Sequence, residues 1–233
     1  MLSQTTIMRL ARLHEISMER VCQIADICEK HGLKPNGNVF RRKPEDIEEI
    51  VRLCRENNID PEQNRNVFGK SASTIRRIIE ICNENNVPLE SHIFVSKPED
   101  LQASAEYIRQ HYGEIYIHAG TITNKVENLK ETMPIVRILG LLPYTRMDGS
   151  IFSLTKDELL ERAGVLIHYG IPLHKRNDVL AVDRVNKVFT LSKESWEEYC
   201  QQHIINELVR EQSKRRVIQM IKSAIAQSRK NVK

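Results

Sequence analysis

Five phenylalanines are all this chain has, and each follows directly on a β-branched residue: Val39-Phe40, Val67-Phe68, Ile93-Phe94, Ile151-Phe152 and Val188-Phe189. The intervals between them are 28, 26, 58 and 37 residues, and 58 is twice 29, so an unmarked unit falls around Ile122. Self-similarity at a period of roughly 20 to 50 residues is the signature of stacked repeats, each too small to bury its own apolar face. That restricts the chain to an array of short, similar modules.

The spacing inside one module says what it is. Seven residues beyond each mark stands a large apolar residue, Ile47, Ile75, Leu101, Leu159 or Trp196, and Leu129 fills the same place counted from Ile122. Around it the apolar residues recur at i, i+3, i+4 and i+7, as in Ile47, Ile50, Val51, Cys54 and in Ile75, Ile78, Ile79, Cys82. This is one buried face of an amphipathic helix. Residues that tolerate a left-handed backbone close each helix: Gly32, Asn57-Asn58, Asn85-Asn86, Gly113, Gly140 and Gly170. An apolar residue and a proline then end it, as in Leu33 with Pro35, Ile59 with Pro61, Val87 with Pro88, Leu142 with Pro143 and Ile171 with Pro172. Ser96 to Glu99 and Thr155 to Glu158 have capping-box spacing, and Ser192 suits an N-cap. A module is therefore one helix of about 14 residues, a proline turn, and a second element of one or two turns, 3₁₀ in character. Its phenylalanine packs between neighbours.

The expected fold is all-α, a solenoid of about seven short helical repeats with a long basic C-terminal helix. Residues 1–16 form an N-terminal capping helix, 17–195 the repeat array, and 196–233 the basic helix running from Trp196 to about residue 228. Arg9 and Arg12, with no acid before Glu15, also suit a transit peptide. The stretch Glu114 to His118 reads as locally extended, and Pro134 should kink or end the fifth helix. Residues His174 to Lys187 read as a longer connection, with Val179, Leu180, Val182 and Val185 suggesting a fuller second helix.

Composition narrows the function classes. No apolar run reaches membrane-spanning length. Cys28, Cys54 and Cys82 occupy equivalent buried positions and read as core residues of a reducing compartment, hence a cytoplasmic protein. There is no CxxC spacing, no histidine pair at ligand spacing, no Gly-rich phosphate loop and no hydrolase motif, so no metal, cofactor or catalytic residue is assigned.

Charge carries the rest. Residues 210–233 hold eight Lys/Arg against Glu211 alone, a net of +7 where the whole chain is +4, so residues 1–209 carry −3. Lys214, Arg215, Arg216, Lys222, Arg229 and Lys230 would contact phosphates, or form a solvated face. A lysine also stands just ahead of each helix: Lys43, Lys70, Lys97, Lys125, Lys156 and Lys193, the first reinforced by Arg41 and Arg42. Cations there oppose the helix macrodipole, so helix stability does not ask for them. Stacking would align them beside helix N-termini as a phosphate track, tempered by first-turn acids such as Glu45, Asp46, Glu99, Asp100, Asp157, Glu158 and Glu194.

The run from Phe152 through Thr155, Lys156, Leu159 and Leu160 to Gly170-Ile171 resembles the repeats of the mitochondrial transcription termination factor (mTERF) family. That family's units have a leucine-rich helix, a Gly-Ile/Val end and a short helix leading into the next unit. The resemblance spans about residues 17–200 and implies an all-α solenoid that wraps nucleic acid and acts in transcription or RNA processing. This chain lacks the family's usual proline before most phenylalanines. Two function classes follow: a non-enzymatic nucleic-acid-binding protein, or a protein-interaction scaffold holding a peptide or helix on its concave face.

Overall fold

A computed structural model of the chain describes residues 3–142, 150–170, 188–189 and 191–230, with side-chain detail as far as Gln227. Among the described residues every regular element is helical and there is no strand. The major helices are α1 (Gln4–His14), α2 (Met18–His31), α4 (Pro44–Glu56), α5 (Ala72–Glu84), α6 (Pro98–His111), α8 (Val126–Ile138), α9 (Lys156–His168), α10 (Lys193–Gln202) and α11 (Glu207–Lys230). Between them lie single turns that end on the repeat mark: α3 (Gly37–Phe40), the 3₁₀ turns Arg65–Gly69, Ile93–Val95 and Ser150–Ser153, and α7 (Ala119–Ile122).

The periodicity is the core. Phe40, Phe68, Phe94, Phe152 and Phe189 are all at most 3 % exposed, and Ile122, the mark inferred from spacing alone, is fully buried. Seven residues on, Ile47, Ile75, Leu101, Leu129, Leu159 and Trp196 are buried as well. In the unmarked unit Thr121 takes the place of the β-branched partner. Its hydroxyl donates to the Tyr116 carbonyl at 2.7 Å, which satisfies the polar atom in the core. Cys28, Cys54 and Cys82 are free and buried; burial pushes the first and last thiols up to about 11 and the middle one to about 12. Such thiols are poor nucleophiles.

The chain divides into two compact units, Met1–Ala105 and Glu106–Lys233. In the first, α2 packs on α1 and on α4, and α4 on α5. In the second, α9 packs on α8 and α11 packs along α9. The division falls inside α6, where Ser104 and Ala105 stand at the register of Ile50-Val51 in α4 and Ile78-Ile79 in α5.

Successive repeats are also latched by hydrogen bonds. Arg20 Nη2 donates to the Arg42 carbonyl at 2.8 Å, Arg42 Nε to the Phe68 carbonyl at 2.9 Å, and Lys70 Nζ to the Val95 carbonyl at 3.1 Å. In the second unit Asn128 Nδ2 donates to Phe152 O and Leu154 O, and Arg162 Nη1 to Val188 O at 2.9 Å and Leu191 O at 2.8 Å. Each acceptor lies within two residues of a mark. A one-turn helix leaves its last carbonyls without internal donors, and the preceding repeat supplies them.

Three local expectations are corrected. Residues Glu114–Tyr116 form a 3₁₀ turn rather than an extended segment, entered through Gly113 at φ 96°. Helix α8 continues past Pro134 to Ile138, its far end held by Ile135 and Val136 in the core. The last helix does not run unbroken from Trp196. Helix α10 stops at Gln202 and α11 starts at Glu207, with Ile204 between them at φ 57°. Trp196 thus belongs to the final repeat, and the basic helix begins eleven residues later. The N-terminal segment is helical from Gln4 to His14, capped by Ser3, but buries none of its residues. The expected connection His174 to Lys187 lies outside the described residues.

Helix α11 reaches α9 at Gly164. A Cβ at that position would stand 2.8 Å from the Ser213 carbonyl carbon and 2.9 Å from its Cβ, both too close. Gly164→Ala should therefore push α11 off its seat and lower stability by about 1 to 3 kcal/mol, read as a lower urea midpoint. An unchanged midpoint would mean the two helices do not touch there.

Candidate nucleic-acid interface

The cations named from the sequence fall into three groups. At the helix starts, Lys43 and Lys125 are N-cap residues, Lys97 directly precedes Pro98, and Lys70 stands one residue before the cap Ser71. Lys156 and Lys193 are the first helical residues after the caps Thr155 and Ser192. The six therefore share a region of the repeat but not a single register. All are exposed except Lys70, which is partly covered where it reaches Val95.

In the first unit the latches set Arg20, Arg42 and Lys70 in succession against the marks of the following repeats. Their partners are backbone carbonyls rather than carboxylates. Arg41, Lys43 and Lys97 are exposed beside them. Cations on the helix bodies are used differently. Lys30 pairs with Glu48 at 2.8 Å, Arg52 with Glu49 and Glu56, Arg76 with Glu49 at 2.5 Å, and Arg77 with Glu80 at 3.0 Å. Arg41, Arg42, Lys43, Lys70 and Lys97 at the mark edge have no carboxylate partner among the described residues, as is also true of Arg9, Arg12 and Arg55 on the helix bodies. Glu45, Asp46, Glu99 and Asp100 occupy first turns on the same edge and reduce its field.

The third group is on α11, and it divides by face. Arg210 is only 19 % exposed and pairs with Glu197 at 2.8 Å and Glu161 at 3.4 Å. Lys214, also 19 % exposed, pairs with Asp157 at 3.2 Å. These two cations join Val217 on the side that faces α9. Arg215, Arg216 and Lys222 are exposed and have no carboxylate partner among the described residues. Arg215 and Lys222 are seven residues apart, two turns and about 10 Å along one face. Arg229 and Lys230 lie within α11, their side chains beyond those described. The second unit holds 20 Lys/Arg and 15 Asp/Glu, a net of +5, whereas the first holds 15 and 16, a net of −1.

Three residues that matter here were not singled out by sequence reasoning. Arg162 stands at the core register of Ile24, Ile50 and Ile78 and is 2 % exposed, its guanidinium 5.3 Å from the Trp196 ring. Burial pulls its pKa below the ordinary arginine value, and the charges of Glu158 and Glu161 oppose that. The signal was a charged residue at a repeat position reserved for isoleucine. Gly164 is a glycine inside a helix pattern, which marks a close approach. Ile204 occupies the left-handed slot that Asn58 and Asn86 fill elsewhere, and nothing in composition points to it.

An apolar cleft of about 480 Å³ opens in the first unit, lined by Ile7, Cys22, Ala25, Cys28, Leu33 and Pro35, with Asp26 and Glu29 also lining it. No group of three or more potential metal ligands occurs among the described residues, and none of their helices is long and apolar enough to cross a membrane. Comparison with protein-family models, curated proteins and solved structures finds no match to this chain.

The division of labour on α11 has a measurable consequence. Arg210→Ala should lower stability by about 1 kcal/mol, because Glu161 and Glu197 lose their shared cation. Arg215→Ala should stay within about 0.5 kcal/mol of the parent. Equal urea midpoints for the two variants would contradict the assignment of faces.

Proposed function

We propose that the chain is a non-enzymatic nucleic-acid-binding helical-repeat protein acting in transcription or RNA processing, with its main phosphate contacts on the C-terminal helix. The observation that carries this reading is the outward face of α11. Arg215, Arg216 and Lys222 stand exposed without carboxylate partners among the described residues, on a helix fixed by Arg210, Lys214 and the Gly164 contact. A rigid helix that presents cations loses little conformational entropy when phosphates replace counterions. Arg41, Lys43 and Lys97 at the mark edge of the first unit, and Lys125, Lys156 and Lys193 in the second, add weaker contacts because first-turn acids accompany them, and Lys70 does so because its ammonium is already bonded to the Val95 carbonyl. The resemblance of the repeats to the mTERF family supports the same reading, as does the all-helical fold with its buried repeat marks.

The alternative, a protein-interaction scaffold, is favoured by the apolar cleft beneath α1, whose lining includes Asp26 and Glu29. It would take a basic, apolar peptide.

Fluorescence anisotropy with labelled single-stranded RNA and duplex DNA, at several salt concentrations, separates the two. Three phosphate contacts give a slope of log affinity against log salt of about −2 to −3. The triple variant Arg215→Glu, Arg216→Glu, Lys222→Glu should lose binding, while Lys125→Ala weakens it only slightly. No binding at low salt, or an unaffected triple variant, would overturn the reading.

A further inference from the structure

The outward face of α11 has a second property that phosphate binding does not use. Leu208, Glu211, Arg215, Ile218, Lys222 and Ile225 recur at alternating spacings of three and four residues. That is the a/d pattern of a helix seam that packs against another helix. The seam is open. Leu208 is 66 % exposed and Ile225 40 %, Glu211, Arg215 and Lys222 are exposed, and Ile218 is half-buried. Beside Leu208 stands Ile204, 88 % exposed and at φ 57°. A β-branched side chain in that conformation costs of order 1 to 3 kcal/mol, and such strain persists where something else depends on it.

We propose that this seam binds the same seam of a second copy of the chain, antiparallel, about a two-fold axis between residues 216 and 217. The pattern is complementary to its own reverse. In that alignment Leu208 meets Ile225 of the second copy, Glu211 meets Lys222, and Arg215 lies beside Ile218. Every apolar end finds an apolar end, and the one acid of the seam finds a base. A parallel pair would instead set Glu211 on Glu211, Arg215 on Arg215 and Lys222 on Lys222, a repulsion at three of six layers. Charged seam positions specify alignment at a cost in affinity, so the dimer is weak and reversible. Arg210 and Lys214 take no part, being held against Glu161, Glu197 and Asp157 of the same chain. The interface also covers Arg215 and Lys222, so the dimer and a phosphate-bound chain exclude one another. The proposal itself does not require the nucleic-acid reading.

Sedimentation velocity without nucleic acid tests it. Across roughly 5 to 200 µM the wild-type mass should rise from one chain toward two. Lys222→Glu should weaken association about tenfold or more, by setting two acids in opposition. Adding Glu211→Lys to Lys222→Glu restores both pairs in reversed sense and should return the dimer. Leu208→Glu should abolish it while leaving the urea midpoint unchanged, since Leu208 is already largely exposed. A wild-type chain that stays monomeric at the highest concentration overturns the proposal. So does a double variant that fails to recover, which would exclude the antiparallel register. A negative result here leaves salt-dependent nucleic-acid binding untouched, and a failure of nucleic-acid binding leaves the mass measurements standing.

Discussion

The structure depends on what happens to the backbone at the end of each single-turn helix. A turn that short cannot satisfy its own carbonyls, and a buried carbonyl without a donor costs about 1 to 3 kcal/mol. The apolar marks Val39-Phe40, Val67-Phe68, Ile93-Phe94 and Ile151-Phe152 anchor those turns in the core. The donors come from the repeat before: Arg20, Arg42 and Lys70 in the first unit, Asn128 and Arg162 in the second. Burial and hydrogen bonding thus act at the same place. The arrangement also explains why some cations survive at helix starts against the macrodipole, since Arg42 and Lys70 each complete a neighbour.

Most of the fold was legible because it is local and periodic. The marks, the apolar residue seven places on and the buried cysteines all follow from a helix repeating against itself, and even the unmarked unit at Ile122 could be counted out. What was not legible is what periodicity cannot encode. The break before α11 depends on Ile204 taking a conformation that its side chain disfavours, so a rule based on glycine and asparagine passes over it. Pro134 was weighed as a breaker, but two buried residues beyond it, Ile135 and Val136, hold the end of α8 in the core.

The candidate site was legible only in part. Total charge located the basic helix, but not which of its cations are spoken for. Arg210 and Lys214 are as basic as Arg215 and Arg216 in sequence. Only the packing of α11 along α9, allowed by the missing side chain at Gly164, separates those that hold the helix from those that face outward. Likewise Arg42 and Lys70 looked free until their carbonyl partners were placed. The same geometry that fixes α11 leaves its other face open, and that face carries both the cations proposed to meet phosphate and the seam proposed to meet a second copy.

The account rests on neighbouring marks forming one shared interface, and a double-mutant cycle tests this most directly. Urea unfolding of Phe68→Leu, Phe94→Leu and the double variant gives the coupling between adjacent repeats. Rings packed in a common core should couple by at least about 0.5 kcal/mol. Losses that add to within about 0.3 kcal/mol would show that each phenylalanine stabilises only its own repeat, and would contradict the account.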